Sequence, residues 1–98
     1  AVAGKRDPEW NPPKRFDHAY SGPVMLYKMP HAEVVKNCAE MLGAKNLKQH
    51  GCSQLIEYKG KPVCLVIITN KTFMGATPKA VLRHELGHCA GWPADHPN

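Results

Sequence analysis

QLIEYKGKPVCLVIIT, Gln54 to Thr69, decides the fold. Two β-rich runs, Gln54–Tyr58 and Val63–Thr69, flank Lys59-Gly60-Lys61-Pro62, and this arrangement predicts a β-hairpin. The second run is apolar on both faces. A strand of that kind must be covered, so a helix is expected against it.

Working outward, Val24–Met29 is a short apolar stretch and predicts another strand. After Pro30, the residues Val34, Val35, Cys38, Met41 and Leu42 fall on one side of a 3.6-residue period, so His31–Leu42 predicts an amphipathic helix. Gly43 suits its C-terminal cap. Ala44 to Cys52 is polar and reads as a loop, as does Asn70 to Ala76. Thr77-Pro78 supplies a hydroxyl N-cap and a proline at the first helical position, and the last helix is expected to run to about Ala90. Gly91 and Pro93 then end it. The order strand, helix, strand, strand, helix gives an α+β domain, a small sheet of about three strands with two helices packed on it. Residues 1–23, rich in proline and glycine, are expected to form an extended arm anchored by Trp10, Phe16 and Tyr20. Residues 24–98 are expected to form the domain.

Composition limits the function classes. The 98 residues carry a formal charge of +5, but the basic residues are scattered and only Lys5-Arg6 and Lys14-Arg15 are adjacent. Nucleic-acid binding wants a clustered basic stripe with interleaved aromatics, so none is expected. Val63–Thr69, the longest strongly apolar run, falls far short of the roughly 20 residues that span a bilayer. Four separated cysteines, Cys38, Cys52, Cys64 and Cys89, contain no C-x-x-C pair. In a small domain they read as two disulfides and an oxidising compartment. The expected pairing is Cys38–Cys89, if the two helices meet, with Cys52–Cys64. The opening Ala1-Val2-Ala3 reads as a mature end left by signal-peptide removal, so a secreted or periplasmic monomer is expected.

The chemistry lies in the last helix, where His84-Glu85-x-x-His88 places two imidazoles one turn apart, about 6 Å at their roots. That spacing lets both converge on one zinc ion. Glu85 projects beside the site, where it can act as general base towards a zinc-activated water without competing as a ligand. Leu82, Leu86 and Cys89 form the opposite, sheet-facing side. Gly87, unfavourable by about 1 kcal/mol in a helix interior, is expected to admit a close neighbour. A catalytic zinc needs a third protein ligand and an open position. Asp95 and His96 are the downstream candidates. His96 is favoured because histidine is the commoner zinc ligand, Asp95 is the alternative, and His50 or His31 would be distant substitutes.

This tail resembles the zincin metallopeptidases, and most nearly the metzincins, whose signature is H-E-x-x-H-x-x-G-x-x-H. His84, Glu85, His88 and Gly91 match in register. The third histidine of that pattern falls on Ala94, so Asp95 and His96 follow one and two residues late. The resemblance implies a minimal zincin: a zinc-dependent endopeptidase that binds an extended peptide or protein substrate along a sheet edge, with either hairpin strand as that edge. It implies His84 and His88 as metal ligands and Glu85 as the catalytic base, while the third ligand, His96 or Asp95, carries over only in kind. The methionine turn of the metzincins has no counterpart, since no methionine follows Met74. Tyr58, Tyr20 and Arg83 are the candidate oxyanion donors. The rival expectation is a non-catalytic zinc-binding or protein-interaction module derived from such an enzyme.

Overall fold

The computed structural model describes residues 11–17, 20–93 and 96. Five elements follow one another: β1 (Val24–Met29), α1 (His31–Leu42), β2 (Gly51–Tyr58), β3 (Lys61–Thr69) and α2 (Pro78–Cys89). The three strands form one mixed sheet in the order β1-β3-β2. β1 runs parallel to β3, with Val24 opposite Cys64, and β2 runs antiparallel to it, with Cys52 opposite Ile67. This is the α+β arrangement expected, with the doubly apolar run as the central strand.

β3 explains why two helices are needed. Its alternate residues Cys64, Val66 and Ile68 pack with Ala76, Val81 and Cys89, the last two on α2. Ile67, on the other face, packs with Cys52 and with Val34 and Cys38 of α1. The helices therefore cover opposite faces of the sheet. Both begin and end as their sequences dictate. The Pro30 carbonyl starts α1 by accepting from the N–H groups of Glu33 and Val34 at 2.9 and 3.0 Å. Gly43 ends it in the left-handed region, φ 76°, where its N–H donates to the Ala39 carbonyl. Thr77 Oγ1 caps α2 by accepting from the Ala80 N–H at 3.1 Å.

Two expectations change. The hairpin turn is the two-residue Lys59-Gly60, with φ 52° and 78°, rather than a four-residue connection. Positive φ at both positions is what a tight hairpin with twisted strands requires, and glycine meets it at no steric cost. The strands are correspondingly longer, and β2 begins at Gly51, so Cys52 belongs to the strand and not to the preceding loop.

The disulfides are Cys38–Cys52 and Cys64–Cys89, with Cα–Cα separations of 5.8 and 5.9 Å, in place of the expected Cys38–Cys89 and Cys52–Cys64. The sheet explains the correction. Cys38 and Cys89 belong to helices on opposite faces. Cys52 faces α1 beside Ile67, whereas Cys64 faces α2 beside Val66, so the strands point these two thiols apart as well. Each helix is instead tied to the sheet face that it covers.

Residues 11–17 lie along α2. Pro12 is buried. Arg83 Nε donates to Asp17 Oδ1 at 2.8 Å, and the guanidinium also pairs with Oδ2. A turn at Lys14–Phe16 shapes this segment, with the Phe16 N–H donating to the Pro13 carbonyl at 2.8 Å. Tyr20 packs against the α2-side core. Trp10 lies outside the described residues. Among the described residues no helix is long and apolar enough to cross a membrane.

Candidate metal centre

α2 sets two imidazoles side by side, and the turn after it delivers a third. His84 and His88 have ring centroids 4.8 Å apart. Beyond them the chain doubles back by three backbone hydrogen bonds. The Gly91 N–H donates to His88, the Trp92 N–H to Gly87, and the His96 N–H to Pro93, at 3.1, 3.0 and 3.0 Å. Gly91 carries φ 114° and His96 φ 57°. A non-glycine residue in the left-handed region is uncommon, and such strain gathers at functional positions. Here it accompanies a side chain turned towards α2.

The three Nε2 atoms form a small triangle: His84 to His88 3.1 Å, His88 to His96 3.2 Å, His84 to His96 3.3 Å. At a Zn–N length of about 2.05 Å, half of each separation divided by that length is the sine of half the N–Zn–N angle, which gives about 98–107°. Those angles are close to tetrahedral and leave a fourth position open. The protonation pattern agrees. His88 Nδ1 lies 2.8 Å from the Trp92 carbonyl oxygen, so Nδ1 carries the proton and Nε2 turns its lone pair into the triangle. Burial lowers the His88 pKa against the opposing effect of the Trp92 carbonyl, which favours the neutral, ligating form. His84, His88 and His96 can thus hold a metal ion.

Asp95, the alternative third ligand, lies outside the described residues, as do Ala94 and His18. His31 and His50 are not part of this cluster. His31 stacks on Phe73 with centroids 3.7 Å apart, and His50 meets the same ring edge-on at 5.2 Å.

Glu85 is only 5% exposed. Burial pushes its carboxyl pKa up to about 7, against a hydrogen bond from Ser53 that lowers it. Ser53 Oγ donates to Glu85 Oε1 at 2.7 Å. The three histidines, Glu85, Ser53 and Trp92 line one cleft of about 330 Å³. The site therefore combines three convergent nitrogen donors with a carboxyl group of perturbed acidity, the pairing that acid–base chemistry at a cation requires. Of the candidate oxyanion donors, none lines this cleft. Arg83 is held by Asp17, Tyr20 packs into the core, and Tyr58 flanks the hairpin turn.

Compared with known protein families, curated proteins and solved structures, the chain matches none. The site accordingly stands on its geometry.

Two site residues escape a reading of the sequence. Ser53 falls between the loop expected to end at Cys52 and the strand expected to begin at Gln54, and the signal for it is the length of the partner run Val63–Thr69, which reaches past Gln54 across the hairpin. Trp92 carries a plainer signal, a large aromatic between the second and third histidines.

The need for glycine at 87 is also explained. A Cβ there would lie 2.5 Å from Pro12 Cγ and 3.3 Å from Trp92 Cε3. The N-terminal segment and the tail both close onto α2 at this point.

Proposed function

We propose that the protein is a zinc-dependent peptidase that hydrolyses peptide bonds in an extended substrate. The observation that carries this reading is the buried carboxyl of Glu85 in the same cleft as the histidine triangle. A purely structural metal site has no use for such a group. Zinc bound by three histidines supplies a Lewis acid that acidifies water and polarises a carbonyl. His84, His88 and His96 would hold the ion, and Glu85 would take a proton from the attacking water and pass it to the leaving amine. Ser53 orients Glu85 by donating to one oxygen, which leaves the other for the reaction.

The substrate would pair with β2, now the outer strand beside the cleft. The Thr69 N–H donates to the His50 carbonyl, so His50, Cys52 and Gln54 point their backbone groups at β3. Gly51, Ser53 and Leu55 point theirs outward. The Gly51 carbonyl already accepts from the Gln49 side chain, so pairing by strand addition begins at Ser53. The two disulfides support an oxidising compartment, secreted or periplasmic, for the working protein.

A second reading, a zinc-binding interaction module without catalysis, is favoured by one observation: none of Tyr20, Tyr58 and Arg83 lines the cleft to stabilise an oxyanion. One experiment separates the two. The zinc-loaded native protein and Glu85→Gln are incubated with an unstructured peptide library, and zinc content is measured alongside. The peptidase reading expects equal zinc and a loss of cleavage of about 10²–10⁴-fold in the variant. Equal cleavage by both would falsify it, and no cleavage by either favours the module.

A further inference from the structure

We propose that Trp92 is the positioning residue of the metal centre, the floor on which all three imidazoles are set. The proposal rests on the metal-binding part of the reading above and not on the peptidase part. Trp92 is 2% exposed and heads the largest fully buried side chains. Yet it belongs to neither hydrophobic cluster of the sheet. Among the described residues it makes ring contacts with all three histidines. It lies parallel to His88, centroids 4.7 Å apart and planes 12° from each other. It meets His84 at 5.1 Å and His96 at 4.9 Å, both edge-on, with interplanar angles of 71° and 77°.

Each contact removes a freedom that would blur the triangle. Stacking fixes the plane of the His88 ring. The two edge-on contacts limit rotation of His84 and His96 about their own side-chain bonds. The Trp92 carbonyl, 2.8 Å from His88 Nδ1, selects the tautomer that presents Nε2. One residue thus acts through both its side chain and its backbone. Trp92 is itself held by its N–H bond to the Gly87 carbonyl. Pro12 closes over the same glycine. His96 depends on Trp92 most, because that histidine follows a turn and has no helix to orient it.

The test uses native protein, Trp92→Phe and Trp92→Leu, with Zn²⁺ and Co²⁺ as probes. Zinc affinity is measured by competition with a chelator, and the visible Co²⁺ spectrum reports coordination number. The expected result is a loss of zinc affinity of about 10–100-fold in Trp92→Leu, the usual scale for groups that orient metal ligands, with substantial rescue in Trp92→Phe. The intense Co²⁺ bands of a four-coordinate site should weaken in the leucine variant and return in the phenylalanine variant. A leucine variant that unfolds at lower temperature but binds both ions as the native protein does overturns the proposal, because Trp92 is then core packing alone. A measurement on the native chain guards against a leucine variant that fails to fold. ¹⁵N NMR of the cation-free protein should find His88 protonated at Nδ1, and protonation at Nε2 overturns the proposal. Native protein that takes zinc with this dependence on Trp92 and cleaves no peptide supports the positioning role and discards the peptidase. Native protein that binds neither ion at the triangle overturns both.

Discussion

Gly87→Ala tests whether the N-terminal segment is seated on α2. In an open helix interior the change gains about 1 kcal/mol, because alanine loses less backbone entropy than glycine. Here the added Cβ would lie 2.5 Å from Pro12 Cγ and 2.9 Å from Pro12 Cβ. A proline ring cannot swing aside as a flexible side chain can, so the segment or the helix must move. Overpacking of this kind costs about 1–3 kcal/mol, which exceeds the propensity gain over most of its range. The net expectation is a loss of up to about 2 kcal/mol. Zinc affinity should fall as well, since Trp92 Cε3 lies 3.3 Å from the same point. Urea unfolding of the zinc-free protein measures the first effect and chelator competition the second. Pro12→Gly in the Gly87→Ala background should return part of the lost stability, with a coupling of about 0.5–3 kcal/mol expected of residues in contact. A Gly87→Ala protein stabilised by about 1 kcal/mol, with native zinc affinity and no coupling to Pro12, would refute the reasoning.

Other outcomes follow from the same contacts. Ser53→Ala leaves a buried Glu85 oxygen without its donor, which should cost about 1–3 kcal/mol in urea unfolding and push the carboxyl pKa further up, as read by ¹³C NMR titration. An unchanged titration would remove Ser53 from the site. Burial lowers the His50 pKa from 6.5, against hydrogen bonds to the Phe73 and Lys48 backbones and with a smaller contribution from His31. The unfolded chain therefore takes up this proton first, and stability should be full above about pH 6.5 and decline as pH falls towards the folded value. His50→Gln should flatten that part of the stability profile, and an identical slope would count against it. Digestion without reduction should release peptides linked Cys38–Cys52 and Cys64–Cys89. In the chain-entropy account loops of 14 and 25 residues are worth about 3 and about 3.5 kcal/mol. Any other linkage contradicts the assignment of the helices to opposite faces.

Local signals were legible in the sequence where one element settles its own fate. The period of Val34, Val35 and Cys38 and the flanking Pro30 and Gly43 define α1 to the residue. Thr77-Pro78 does the same for the start of α2. The fate of β2 was hidden because Gly51 and Ser53 are poor strand formers, and pairing with β3 overrides that preference. The disulfide pairing is legible only in part. Cys52 and Cys64 fall on opposite faces whether the turn has two residues or four, because a shift of two keeps each side chain on its face, and that alternation alone excludes a bond between them. With β3 apolar on both faces, periodicity alone does not say which helix goes to which side. His84, His88 and His96 were legible because they are close in sequence. The partners of the site from elsewhere, Ser53 and Pro12, depend on tertiary packing that no local pattern reveals.

His84 and His96 are 12 positions apart, and the ring that orients them lies between. Ser53 reaches Glu85 across 32 positions. Contacts so different in sequence separation form at different stages of folding, local ones first. The ligand loop can therefore capture a cation before the sheet is complete, and the ion would then favour the helical turn that presents it. Glu85 meets its desolvated surroundings only when β2 docks. On the peptidase reading proposed above, that order of assembly would bring the base and the ion together only in the folded domain.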